Sequence, residues 1–170
     1  MARILTSALL GVALIAAAGC AKKPPITVIP PDTTGTGPGY DNSGSQQEGV
    51  STLNAQFQRE TLGDTVHFAF DQYDIDPEAR RILDSQAQWL RAHPNTRITI
   101  EGHCDERGTR EYNLALGDRR ANAAKNYLAS AGISPGRINT VSFGKERPIA
   151  LGSDDQSWAA NRRAVTIVVN

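Results

Sequence analysis

The densest run of chemically reactive side chains in the sequence is Gly102-His103-Cys104-Asp105-Glu106-Arg107-Gly108. An imidazole, a thiol, two carboxylates and a guanidinium stand close together there. Three kinds of chemistry use such groups: nucleophilic catalysis by the thiol, coordination of a metal ion, and non-covalent binding of a small charged ligand. The surrounding elements decide between them, because they determine which side chains point to the same face.

Alternating apolar residues predict four strands, and the reactive run lies at the end of the second. The first strand is marked by Val66, Phe68 and Phe70, the second by Ile98, Ile100, Gly102 and Cys104, the third by Val141 and Phe143, and the fourth by Val165, Ile167 and Val169. A short helical or irregular stretch around Trp158 separates the last two strands.

Capping signals and apolar stripes predict two longer helices between the first three strands. The first helix begins at Asp76-Pro77-Glu78, an N-cap followed by proline at the first helical position, and ends at His93-Pro94-Asn95. The second runs from about Arg110 to Ala131 and is stopped by Gly132. The order strand–helix–strand–helix–strand–strand predicts an α+β fold, a two-layer sandwich with the helices packed on one face of a small mixed β-sheet.

Strand alternation argues against a cysteine hydrolase. A nucleophile must lie within hydrogen-bond reach of its base, whereas adjacent residues of a strand point to opposite faces. His103 would therefore point away from Cys104, and His67 lies on another strand with its side chain turned from the core. Cys104 continues an apolar face, so we predict a small buried hydrophobe and no enzymatic activity. Hydrolysis by Cys104 is the disfavoured alternative.

The same alternation argues against a metal site. His103, Cys104, Asp105 and Glu106 would be divided between two faces of the sheet, and no second cluster of cysteine and histidine completes a tetrahedral set. We therefore predict no metal ion and no other cofactor.

Non-covalent binding of a zwitterion fits the predicted elements. Asp105 follows the second strand, and Arg119 and Arg120 lie near the start of the next helix. Strand ends and helix starts meet at one rim of a layered domain, where a carboxylate and a guanidinium are complementary to an ammonium and a carboxylate. An internal Asp–Arg ion pair explains the same pattern equally well, and the residues alone leave both possibilities open.

The first sixty residues predict targeting and tethering. Arg3 precedes an apolar run over residues 4–18 that is too short to cross a bilayer, so we predict a lipoprotein signal peptide over residues 1–19. Cys20 follows small residues at the cleavage point, and we expect it to carry the lipid anchor. Residues 20–60 contain five of the nine prolines and predict a flexible tether, which leaves residues 61–170 as the folded domain.

The charge balance of residues 61–170 argues against nucleic acid as a partner. This span carries 14 acidic and 14 basic side chains, and the whole chain has a formal net charge of +0. Proteins that bind nucleic acid through its phosphates need an excess of positive charge, which this domain lacks.

The motifs of the predicted domain resemble those of the OmpA-like family. The resemblance rests on the peptidoglycan-binding motif of that family, here Gly102-His103-Cys104-Asp105-Glu106-Arg107-Gly108-Thr109, Glu111-Tyr112-Asn113, Leu116-Gly117 and Arg119-Arg120-Ala121. It continues through residues 70–75, 142–148 and 161–164 and covers essentially all of residues 61–170.

The resemblance implies non-covalent binding of the peptide stem of peptidoglycan through meso-diaminopimelate, which carries a free amine and a carboxylate on one carbon. By motif position, Asp105 matches the family's binding aspartate, Arg120 its arginine, and Phe70, Asp71 and Tyr73 the loop that also lines the site.

The resemblance also implies a cellular role. It predicts an outer-membrane lipoprotein that faces the periplasm, tethers the outer membrane to the cell wall, and binds TolB of the Tol system in envelope integrity and cell division. The residue after Cys20 is Ala21 rather than the aspartate associated with retention in the inner membrane, so export to the outer membrane is expected.

Overall fold

The computed structural model describes the chain from residue 43 to residue 170, and its side chains from residue 49 onward. The predicted signal peptide, Cys20 and most of the predicted tether lie outside the described residues. In chain order the elements are α1 (Ser43–Glu60), β1 (Thr65–His67), α2 (Pro77–Ala92), β2 (Ile98–His103), α3 (Arg110–Ser130), a 3-10 turn (Pro135–Arg137), β3 (Ile138–Gly144), α4 (Asp155–Asn161) and β4 (Arg163–Val168). In this part of the chain, none of the helices has the length and apolar character needed to cross a bilayer.

The four strands form one mixed sheet in the order β1-β4-β2-β3. β4 runs antiparallel to β1 and β2, and β2 runs parallel to β3. Buried apolar residues of α2 and α3 pack with those of the sheet in one core. The predicted α+β class, with helices on one face of a small mixed sheet, is therefore confirmed.

The ends of α2 are those that the sequence predicts. The Asp76 carboxylate accepts a hydrogen bond from the Ala79 N–H at 2.7 Å, and Pro77 occupies the first helical position. His93 is the C-cap, and its N–H donates to Trp89 O.

The folded domain begins earlier than the predicted boundary at residue 61. Residues 43–60, predicted as the end of the tether, form α1. Phe57 is fully buried in the core, where its ring packs edge-on against Trp89 with centroids 5.1 Å apart. The side chain of Asn54 accepts a hydrogen bond from the Val168 N–H at 3.2 Å. Leu53 and Phe57 alone are too narrow an apolar stripe to reveal a packed helix in so polar a stretch.

The residues that predict β4 are not those that face the core. Ala164, Thr166 and Val168 are buried, whereas Val165 and Ile167 are half-buried on the opposite face. Thr166 is tolerated inside because its hydroxyl donates to Gln86 Oε1 at 2.9 Å. An apolar alternation identifies a strand here but not the face that it buries, because both faces of β4 carry apolar residues.

β2 and α3 meet backbone to backbone. A Cβ at Gly102 would overlap the carbonyl of Gly117, and a Cβ at Gly117 would overlap the Ser142 hydroxyl. Ser142, on the neighbouring strand β3, donates to Leu114 O at 2.7 Å. The close approach of Gly102 and Gly117 holds α3 against β2 near the end of the strand, where the reactive run lies.

Candidate ligand-binding site

A pocket of about 180 Å³ opens at the rim where β2 ends and α3 begins. It is lined by Phe70, Asp71, Cys104, Asp105, Arg107, Gly108, Tyr112, Asn113, Leu116 and Arg120. The structure thus brings together four of the five residues predicted to form the site, namely Phe70, Asp71, Asp105 and Arg120. The fifth, Tyr73, lines a neighbouring groove.

The loop between β2 and α3 is held by side chains at the start of the helix. Thr109 caps α3 by accepting from the Tyr112 N–H at 3.2 Å. The buried amide of Asn113 donates to Arg107 O at 2.7 Å and to Thr109 O at 3.0 Å. Gly108 has a φ of 87°, a left-handed conformation that suits glycine. The loop therefore has a fixed shape at the pocket.

Asp105 is buried, and it pairs with two arginines other than Arg120. Arg107 donates to it from Nη2 at 2.5 Å, from Nε at 3.3 Å and from its backbone N–H at 3.2 Å. Arg162 Nη1 lies 3.4 Å from Asp105 Oδ2. Burial alone would raise the pKa of Asp105, but its hydrogen bonds with Arg107, the charge of Arg107 and the bond from Arg162 hold that pKa below its usual value. The pocket therefore contains a carboxylate at neutral pH.

Arg107 is held between two aromatic rings. Its guanidinium carbon lies 4.1 Å from the ring centroid of Phe70 and 4.2 Å from that of Trp158. Phe70 can reach it because β1 ends at His67, so Phe70 belongs to the following loop and is largely exposed. Cation–π contacts of this kind hold an arginine without removing it from solvent.

Sequence reasoning missed the roles of Arg107 and Arg162. Arg107 stands two residues after Asp105, a spacing that signals no contact by itself. Arg162 follows 57 residues after Asp105, and only its place in the motif over residues 161–164 marked it.

Arg120 is fully buried and binds backbone carbonyls of the loop after β1 and of the last residue of β2. Its Nε donates to Gln72 O at 2.9 Å, Nη1 to His103 O at 2.8 Å and Nη2 to Ala69 O at 3.2 Å. Each Nη carries a second hydrogen. Arg120 therefore ties the loop after β1 to the end of β2, and it also lines the pocket.

Asp71 has a strained backbone at the edge of the pocket. Its φ is 59°, the left-handed region, which costs a residue other than glycine about 1–2 kcal/mol. The Tyr112 hydroxyl donates to its carboxylate and secures this conformation. Strain of this kind persists where the surroundings enforce it, and it concentrates at functional sites.

The thiol and the imidazole of the reactive run are not hydrogen-bonded to each other. Cys104 is buried beside α3, where its Sγ lies 3.3 Å from Asn113 O, and burial raises the pKa of this thiol. His103 stacks on Phe143 with ring centroids 5.6 Å apart. Among the side chains that the structure describes, from residue 49 onward, no group of three or more histidine, cysteine, aspartate or glutamate residues is placed to hold a metal ion.

His103 should make the protein less stable in acid. Its side chain is 2 % exposed, and burial, together with the charges of Arg163 and Arg147, lowers its pKa from 6.5 to about 4. As the pH falls from 6.5 to 4, the unfolded chain gains a proton that the folded chain does not bind. The free energy of unfolding should therefore fall by up to about 3 kcal/mol from this residue.

Urea denaturation at pH 7 and pH 4.5 tests the effect of His103. The variant His103→Phe should lose markedly less stability between the two pH values than the unmutated chain. The control His67→Gln removes an exposed histidine and should behave like the unmutated chain. An identical loss in all three proteins would contradict this role of His103.

Comparisons with known proteins place this architecture in a family. The model of the OmpA family matches residues 67–162. The peptidoglycan-associated lipoprotein of Rhizobium meliloti (strain 1021) is 48% identical over 156 residues, which cover 91% of this chain and 82% of that protein. The peptidoglycan-associated lipoprotein of Agrobacterium fabrum (strain C58 / ATCC 33970) is 46% identical over 158 residues, with 91% and 82% covered.

A solved structure agrees with these sequence matches. The crystal structure of the peptidoglycan-associated lipoprotein from Burkholderia pseudomallei superposes with a TM-score of 0.61 at 45% identity, covering 62% of this chain and 90% of that chain. The chain therefore belongs to the OmpA family and, within it, to the peptidoglycan-associated lipoproteins.

Proposed function

We propose that this protein binds the peptide stem of peptidoglycan non-covalently through meso-diaminopimelate and does not cleave it. The observation that carries the proposal is the pocket of about 180 Å³ that the ionised Asp105 and the buried Arg120 both line. One carbon of meso-diaminopimelate bears both a free ammonium and a carboxylate, and these are complementary to Asp105 and Arg120. The names of the relatives agree with association with peptidoglycan.

The hydrogen bonds already present in the pocket indicate how the ligand would be bound there. Asp105 would accept from the ligand ammonium, which must share or replace the hydrogen bonds from Arg107. The second hydrogens of Arg120 Nη1 and Nη2 would donate to the ligand carboxylate. The loop that carries Phe70 and Asp71 would add backbone N–H groups, which form good sites for anions.

Sedimentation with purified sacculi tests the proposed function. The full chain, solubilised in detergent, should be retained by sacculi that contain meso-diaminopimelate. It should be retained poorly by sacculi with lysine in its place, because lysine keeps the amine but lacks the second carboxylate. Equal retention by both types, or by neither, would overturn the proposal. Release of soluble fragments from the sacculi would instead support the alternative, a hydrolase.

Replacing Cys104 gives a second test that distinguishes non-covalent binding from hydrolysis. Because Cys104 is a buried thiol, Cys104→Ala should lower the free energy of unfolding by about 1 kcal/mol. Retention on diaminopimelate sacculi should be unchanged. Urea denaturation and sedimentation measure the two effects. Loss of retention by a variant that unfolds at a normal urea concentration would revive the hydrolase hypothesis.

We further propose that Cys20 carries lipid and anchors the protein in the outer membrane, with the pocket in the periplasm. The variant Cys20→Ser should accumulate as soluble periplasmic protein or as a precursor at the inner membrane. Cell fractionation with metabolic labelling by a fatty acid distinguishes these locations. Mature, unlabelled Cys20→Ser protein in the outer membrane would show that another element anchors the chain.

The proposed cellular partner is TolB of the Tol system, as the family resemblance implies. We propose that TolB binds over a surface that overlaps the peptidoglycan pocket, so that the protein exchanges between the two partners. Purified TolB should then reduce retention of the protein on sacculi in proportion to the amount of TolB added.

A further inference from the structure

A second cavity lies beside the pocket. It is a groove of about 400 Å³ between the loop after β1 and the outer face of α3. It is lined by Tyr73, Asp74, Ile75, Asp118, Arg119, Asn122, Ala123 and Asn126. Asp71 and Arg120 line the pocket, whereas Tyr73 and Arg119 line the groove, so both walls continue along the chain from one cavity into the other.

Arg119 lines the groove, where its guanidinium carbon lies 5.8 Å from the ring centroid of Tyr73. It is exposed, and its Nε lies 3.4 Å from Ala115 O. Within residues 49–170, no carboxylate lies within ion-pair distance of its guanidinium.

The other charged side chains that line the groove are acidic. Asp74 and Asp118 would repel a carboxylate, so Arg119 is the one lining side chain of the groove whose charge attracts one. Asn122 and Asn126 stand one helical turn apart along the same wall. The amide nitrogen of Asn122 donates to Asp118 O at 2.9 Å, which leaves its oxygen to accept from a peptide N–H.

We propose that this groove is a second subsite for the peptidoglycan stem, in which Arg119 binds the carboxylate of a residue joined to diaminopimelate. The inference rests on the proposed function, since it requires diaminopimelate in the pocket. Two neighbours in the stem carry such a group: the glutamate linked through its side chain, whose α-carboxylate is free, and the terminal alanine. The asparagines bind the intervening peptide bonds.

Binding of defined fragments to the full chain in detergent tests this subsite. The probes are free meso-diaminopimelate, the tripeptide L-alanyl-γ-D-glutamyl-diaminopimelate, the same tripeptide with the glutamate carboxylate amidated, and the tetrapeptide ending in D-alanine. Arg119→Gln should weaken binding of the tripeptide about two- to fivefold, the range for an exposed ion pair. It should leave free diaminopimelate and the amidated tripeptide unaffected. A loss for the tetrapeptide alone would assign the carboxylate to the terminal alanine.

Arg81→Gln is the matched control, because it removes an exposed arginine of α2 that lines neither cavity. It should change none of the affinities. The subsite is overturned if Arg119→Gln weakens free diaminopimelate as much as the tripeptide, or weakens neither peptide. Failure of the proposed function looks different, since the unmutated chain would then bind neither free diaminopimelate nor any peptide, and both proposals would fall together.

Discussion

Replacing Arg120 by alanine is expected to lower the free energy of unfolding by roughly 3–5 kcal/mol. The reason is that the carbonyl of the buried His103 would lose its donor, which costs about 1–3 kcal/mol, and that the carbonyls of the exposed Ala69 and Gln72 would exchange theirs for water. The truncated side chain also leaves a cavity in a fully buried position. Urea denaturation followed by circular dichroism measures the loss.

Arg119→Ala is the natural control for this experiment. It removes the same group from the next residue, which is exposed, and should change stability by no more than about 0.5 kcal/mol. Arg120→Lys should recover only part of the loss, because an ammonium cannot reach three carbonyls with planar geometry. A loss below about 1 kcal/mol for Arg120→Ala would show that these loops do not depend on its guanidinium.

Replacing Asp105 by asparagine is expected to weaken binding of diaminopimelate sacculi at least about tenfold. Removing one partner of a buried charge pair costs about 2–5 kcal/mol, and about 1.4 kcal/mol corresponds to a factor of ten in affinity. Asparagine keeps the shape of the side chain, so the loss reports the charge. Sedimentation over a range of sacculus concentrations gives the change in affinity.

Stability must be measured alongside affinity for Asp105→Asn, because Arg107 and Arg162 lose their acceptor too. Glu111→Gln, an exposed residue in the first turn of α3 that lines neither cavity, has the same change of charge and should bind normally. Unimpaired binding by folded Asp105→Asn protein would remove Asp105 from the site.

The sequence predicts well those elements whose signals are local. The N-cap at Asp76 and the stop at His93 need only a few neighbouring residues, and both are where the structure has them. α1 was missed because its contact with the core depends on Phe57, one aromatic residue in a polar stretch. Its partner Trp89 lies on α2, and no local pattern connects the two.

The candidate site, too, was predictable from the sequence only in part. Motif position brought Asp105 and Arg120 to one pocket, but it did not indicate that Arg120 binds carbonyls, because every residue has a carbonyl and none is marked in the sequence. It also did not pair Asp105 with Arg162, since that contact depends on how β4 lies beside β2. The sequence thus predicted residues that line the pocket, whereas the groups that they contact could be identified only from the fold.

The contact between Gly102 and Gly117 has a consequence for how such a protein can change over time. Asp105 lies three residues beyond the first glycine, and Arg120 lies three residues beyond the second. Both residues of the proposed site therefore lie a short distance along the chain from one junction in which main chain touches main chain. Any residue larger than glycine at either position would have to push the strand and the helix apart. The spacing of carboxylate and guanidinium at the rim is therefore inherited only as long as both glycines are.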